Sequence, residues 1–218
     1  SDSKELILEA IRMAWPAVLE SFFVALAGMI DTMMVSTLGT YAVAAVGLTT
    51  QPKFIALALF LSSNIAVNAL AARRFGQKNR ENANKILYTA IVFVIISAVI
   101  ISTVTFIGAD QIIRWCGSNA DTHEAGVTYF RVIQAGMIFN VLSLVINAAQ
   151  RGCGNTQIAM TTNVTSSIVN IVFNYLLIGG NFGFPRLGMF GASLATVLGT
   201  VVACIMSIIS ISKNDCFL

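Results

Sequence analysis

Long apolar runs separated by short polar stretches fill most of the chain. They fall at about residues 13–38, 41–72, 86–108, 127–149, 158–180 and 189–211. Each is long enough for an α-helix to cross a membrane, since a ~30 Å hydrocarbon core needs roughly 20 residues at 1.5 Å each. The chain lacks the alternating ~10-residue segments of an outer-membrane barrel. The pattern therefore predicts an all-α integral membrane bundle of six transmembrane helices. The second run is interrupted by Gln51-Pro52-Lys53. Proline removes a backbone donor and clashes with the preceding turn, so either the helix kinks there or the span starts near Phe54. The first run is too long and too acidic for a cleavable signal peptide. No linker or low-complexity segment divides the sequence, so one domain over residues 1–218 is expected. LGTYAVAAVGL (38–48) and LGMFGASLATVLG (187–199) echo one another weakly, each opening a span after an external turn, as a three-helix duplication would leave them.

Composition agrees with this reading. The chain of 218 residues is 56% hydrophobic and 11% charged, against about 25% charged in a soluble domain. The net charge of +3 matters less than its distribution. Lys4, Arg12, Arg73, Arg74, Lys78, Arg80, Lys85, Arg151 and Lys213 fall on one side of the predicted bundle. Arg114 and Arg186 fall on the other, with Lys53 and Arg131 in or near spans. Basic residues mark the cytoplasmic side, so both termini and the loops near 73–85 and 150–156 are expected inside, in a multi-pass protein of the cell membrane. The basic loop AARRFGQKNRENANK reads as a topology determinant rather than a patch for nucleic acid or anionic lipid. No nucleic-acid partner is expected.

Chemistry narrows the function further. Cys116, Cys153, Cys204 and Cys216 show no CxxC spacing and read as small hydrophobes. His123 has no cysteine at metal-ligand spacing. There is no GxSxG in a span, no HExxH and no closely paired aspartates, so no enzyme is expected. Asp31, by contrast, lies in an otherwise apolar run with Glu20 its only charged company. A carboxylate in a membrane span costs at least ~2.5–3.5 kcal/mol unless it faces water, is protonated or holds a cation. Those conditions all point to the movement of ions or solutes. Eleven steps of ~100° place Glu20 and Asp31 on one helix face, roughly 16 Å apart, which is too far for a catalytic dyad. Asn163, Asn170 and Asn174 share one face of the fifth span. Asn64 and Asn68, and Asn140 and Asn147, pair on the second and fourth spans and read as interhelical glue. Asn170 and Asn174 lie at the depth of Asp31, and their amide oxygens suit a hard cation. An Asp31–Lys53 ion pair is the alternative for Asp31. Glu20 is either functional or satisfied by amides or water. Glu20, Gln51 and Asn147 are candidate cavity residues for a substrate. The aromatics Phe22, Phe23, Phe54, Phe60, Tyr129 and Phe139 either pack or line a pocket for flat organic cations. One carboxylate among neutral oxygens binds H+ or Na+ but hardly both, which is the competition an antiporter requires.

The segments WPAVLESFF, MIDTMMV and LGTYAVAAVGL, the loop AARRFGQKNRENANK, and the later QRGCGNTQIAM, NIVFNYLLIGG and LGMFGASLAT resemble, in order and spacing, the N-terminal half of a multidrug and toxic compound extrusion (MATE) transporter. The likeness spans nearly the whole chain. It implies secondary active export of small organic cations in exchange for inward H+ or Na+, with no cofactor beyond that ion. It also implies that Asp31 is the ion-coupling acid, with Asn170, Asn174 and Thr196 completing the site, and that Asp31, Asn170 and Asn174 would ligate Na+. The sequence departs from the family in two respects. Asn174 stands where some members carry a second acid, leaving proton and sodium coupling both open. Six spans stand where the family has twelve, so a second six-helix lobe is expected, in a missing half or a partner chain. A lipid-linked oligosaccharide flippase of the same superfamily and a non-transporting accessory half are the alternatives. Against the flippase stands the shortage of cavity cations, with only Lys53 and Arg131 near spans.

Overall fold

The computed structural model describes residues 2–183, 185 and 187–212. Arg186, Lys213 and Cys216, which enter the charge and thiol readings above, lie outside the described residues, as does the side chain of Arg80. The helices are α1 (Asp2–Ser36), α2 (Thr40–Gly76), α3 (Arg80–Ile107), α4 (Ala109–Trp115), α5 (His123–Ala135), α6 (Met137–Gly152), α7 (Thr156–Ile178) and α8 (Met189–Ser212). A short 3₁₀ turn, Asn181–Gly183, precedes α8.

Four helices, α1, α2, α3 and α8, are long and apolar enough to cross a membrane, and α5 with α6 makes a fifth, bent span. α7 has 23 residues, enough for the width of a bilayer, but Thr161, Thr162, Asn163, Thr165, Ser166, Ser167, Asn170 and Asn174 keep it from being counted with those four apolar spans. Two expectations change. Residues 41–72 form one helix that runs unbroken through the buried Pro52, so the lead-in alternative does not hold. The single span expected at 127–149 is two helices meeting at 48°. Gly136 causes the break: its backbone leaves the helical region at φ −90° and ψ 4°, and a Cβ there would meet the Val197 side chain at 2.6 Å. α4 escaped the sequence reading because seven residues carry too little periodicity to register.

Named contacts set the helix directions. Glu20 meets Asn163 and Asp31 meets Asn174, so α1 and α7 run parallel. Gly126 lies against Ala45 and Gly152 against Ala71, so α2 runs parallel to the α5–α6 span. Ser143 and Gln150 reach Ser207 and Ser210, so α6 and α8 are parallel as well. Gly191 approaches Leu177 and Gly199 approaches Ser166, so α7 and α8 are antiparallel. In lipid no hydrophobic force drives helices together, and small residues that allow close approach do so instead. Ala42, Ala45, Ala83, Ala98, Ala109, Ala149, Ala159 and Ala195 are accordingly 0% exposed, while Ile55, Ile65 and Ile107 are each 74% exposed on the outside. Phe60, Val94, Val141 and Ile146 fill the core between α2, α3 and α6, and Val35, Ala45, Tyr129 and Ile178 fill a second core around α1, α5 and α7.

Candidate cation site between α1 and α7

Asp31 lies a little over one turn before the end of α1 and faces α7. Asn174, fully buried, donates its amide N–H to Asp31 Oδ1. That leaves Asn174 Oδ1 with no hydrogen-bond partner among the described residues, and Asn170 Oδ1, one turn earlier on the same face, is buried without a partner too. An unsatisfied buried acceptor costs ~1–3 kcal/mol. The carboxylate, Asn174 Oδ1 and, one turn away on α7, Asn170 Oδ1 form a set of acceptors in which both amide oxygens lack a donor among the described residues. It is an all-oxygen set, the kind that suits a proton or a hard monovalent cation.

Thr196 joins this group at its edge. Its hydroxyl donates 3.1 Å to the Ala192 carbonyl, and the Tyr129 hydroxyl reaches it while also lying within Coulombic range of Asp31. Tyr129 is a participant that the sequence offered only as a packing aromatic or as the lining of an organic-cation pocket. Its body does pack, at 5% exposure, and only its hydroxyl faces the site. Lys53 makes no ion pair with Asp31, although it lies within Coulombic reach. It lines a small cavity of ≈50 Å³ with Thr196, Gln134 and Asn140 at the α5–α6 break.

The remaining candidates separate from Asp31. Glu20 is held by Asn163 and by Arg151, whose Nη2 stands 2.6 Å away. Arg151 belongs to the last turn of α6 rather than to a loop. Asn147 is buried between α6 and α8, where Ser207 Oγ donates to its Oδ1 at 3.1 Å. Ser143 and Gln150 continue that polar ladder to Ser207 and Ser210, each at 3.3 Å. Gln51 lines an apolar groove with Ile55, Ile112, Trp115 and Phe130 on another face. The aromatics form no common cage: Phe60 is fully buried, while Phe22, Phe54 and Phe139 are exposed. At the α4–α5 corner, His123 Nε2 donates to Asp110 Oδ1 at 2.6 Å, and Nδ1 meets Ser118 Oγ at 2.7 Å. That bond, helped by the cationic side chains of Arg114 and Arg131, holds the Asp110 carboxyl below its usual 3.8. Among the described residues no three His, Cys, Asp or Glu side chains gather to hold a metal ion.

Parallel and antiparallel helices packed through small residues, with a half-buried acid between two of them, mark a multi-pass helical membrane protein. The family model described as MatE matches residues 16–176, and the chain belongs to that family. It is 27% identical over 198 residues to "Probable multidrug resistance protein NorM" of Thermotoga maritima, covering 91% of this chain and 43% of the relative. It is 28% identical over 177 residues to "FAD transporter" of Shewanella oneidensis, covering 81% of this chain and 39% of the relative. Among solved structures, the outward-facing conformation of a multidrug resistance MATE family transporter superposes with a TM-score of 0.87 at 27% identity, over 95% of this chain and 46% of that one. The chain thus spans less than half the length of the relatives it matches.

Proposed function

We propose that this chain is one six-helix lobe of a secondary multidrug exporter, a transporter rather than an enzyme, in which Asp31 couples efflux of organic cations to inward movement of H+ or Na+. A second lobe supplies the other wall of the substrate path. The observation that carries the coupling role is the Asp31 carboxylate taking the Asn174 amide N–H while Asn174 Oδ1, and Asn170 Oδ1 one turn away, stay unpartnered among the described residues. Asn174 offers its N–H to the anionic acid. Turned about its Cβ–Cγ bond, the same amide would offer oxygen to a cation on Asp31. Asp31, Asn170, Asn174 and the Thr196 hydroxyl are the residues that would hold the ion. Because Asp31 is the lone acid of this cluster, one charge is exchanged per site. Occupancy of Asp31 drives transport only if it favours one conformation over another.

The test is ethidium accumulation in cells making the full-length protein. Asp31→Asn should abolish efflux at normal expression and membrane insertion, and undiminished efflux would remove Asp31 from the mechanism. Collapse of the Na+ gradient with the proton gradient intact should stop efflux if Na+ is the coupling ion, and leave it running if H+ is.

A further inference from the structure

Asp31 and Glu20 occupy equivalent positions on the α1 face that packs along α7. Each accepts an amide N–H from an α7 asparagine at the same sequence offset of 143. They differ in what else is present. At Asp31, the oxygen of the bonded Asn174 amide has no donor among the described residues, and neither has that of Asn170 one turn away. At Glu20 a cation is already seated, with Arg151 Nη2 at 2.6 Å from Oε1. The Arg151 side chain remains 38% exposed and that of Glu20 15% exposed. Arg151 also forms one wall of an open cleft of ≈420 Å³ between α2 and α6, with Asn64, Asn68, Leu144 and Ala148. Within this region Asn64 Oδ1 is buried and has no hydrogen-bond partner among the described residues. The volume lies in the range of small-molecule sites, about 300–1,000 Å³.

We propose that Glu20 and Asn163, together with the amides of Asn64 and Asn68, form a second cation station for an organic cation bearing several N–H donors, and that Arg151 is its tethered occupant. The proposal rests on the transporter reading above and adds a substrate station to it. A guanidinium or amidinium group presents the same planar fork of donors as Arg151. Such a ligand enters through the cleft, where its N–H groups meet the Asn64 and Asn68 oxygens, and takes the Glu20 carboxylate as Arg151 swings out of the way. One positive charge replaces another, so the carboxylate is never left bare in a partly buried place, which would be strongly unfavourable.

The test uses the purified full-length protein in lipid nanodiscs, with methylguanidinium as the probe and thermal unfolding as the readout. In Arg151→Ala, methylguanidinium should raise the melting temperature saturably. In the wild type, where Arg151 fills the station, and in Glu20→Gln/Arg151→Ala, which lacks the carboxylate, half-saturation should require at least tenfold more probe, or ~1.4 kcal/mol weaker binding. Equal stabilisation of all three proteins, or none in Arg151→Ala, overturns the station. Arg151→Met, which keeps the apolar stem, takes the place of the alanine variant if that variant does not fold. Adding Asp31→Asn to Arg151→Ala should leave the methylguanidinium effect in place. Efflux that survives Asp31→Asn counts against the coupling role of Asp31 alone.

Discussion

A half-buried carboxylate is only as useful as the groups left free around it. Asp31 is met by one amide N–H, and the oxygens of that amide and of Asn170 remain unsatisfied. Removing one of these oxygens should weaken ion binding without removing the acid. Asn170→Ala is expected to raise the half-saturating ion concentration about tenfold, ~1.4 kcal/mol, while Asp31→Asn removes the response altogether. Ion-induced changes in the fluorescence of Trp15 and Trp115 in the full-length protein would report both. Far from this site, Asp110 makes a prediction about pH. Its carboxyl is held below the usual 3.8 chiefly by the hydrogen bond from His123. A depressed acid stabilises the fold above its ordinary pKa, and the contribution drains away as pH falls below that value. Acid unfolding followed by circular dichroism should therefore be less steep in Asp110→Asn than in the wild type over that range. Identical slopes would show that the α4–α5 corner does not contribute.

Helix pairs decide where these residues end up. Gly199 of α8 lies so close to α7 that a Cβ would stand 2.8 Å from the Ser166 carbonyl oxygen and 3.5 Å from the Asn170 Cβ. Gly199→Ala must push α7 and α8 apart, which costs ~1–3 kcal/mol as an overpacked interior does, and it should also displace Asn170. A lower melting temperature together with weaker ion binding is the expected result. Stability lost with ion binding intact would disconnect the two. The ladder on α6 and α8 is more forgiving: Ser207→Ala removes hydrogen bonds worth about 0.6 kcal/mol each in a membrane, and a small drop in melting temperature is expected.

At this scale the limits of the sequence are also visible. Apolar length found every long helix and bounded α7 and α8 to within two residues, because lipid permits little else, but it missed that α1 starts at Asp2, eleven residues before the predicted run. It could not show the break at Gly136, since a glycine in a span is ordinary and the clash that makes this one necessary comes from Val197, 61 positions away. The faces of α1 and α7 were legible as periodic polar positions. Matching depth and the family resemblance joined Asp31 to Asn174, but the pairing of Glu20 with Asn163 went unread, although the eleven-residue spacing of Glu20 and Asp31 is repeated by Asn163 and Asn174. Arg151 read as a topology charge because positive-inside counting sees which side a residue is on, not the carboxylate it touches.

For the whole molecule, the governing fact is that the chain spans 43% and 39% of two relatives that it matches. Faces such as that of α1, where Phe22, Met29 and Met33 are each more than 60% exposed, can meet lipid or another lobe. Crosslinking from cysteines placed at positions 22 and 29 in the full-length protein should tell which. Formation of links to the remainder of the protein is expected on at least one of them.

The parallel alignment of α1 with α7 has one more consequence. Two bonds roughly 16 Å apart share a single offset, so the pair works like a shaft keyed at two points. Sliding α1 by one helical turn, about 5.4 Å, would pull both keys out together, and turning it would do the same. A disturbance at either end therefore reaches the other without any wire of intermediate contacts, through the stiffness of the helix alone.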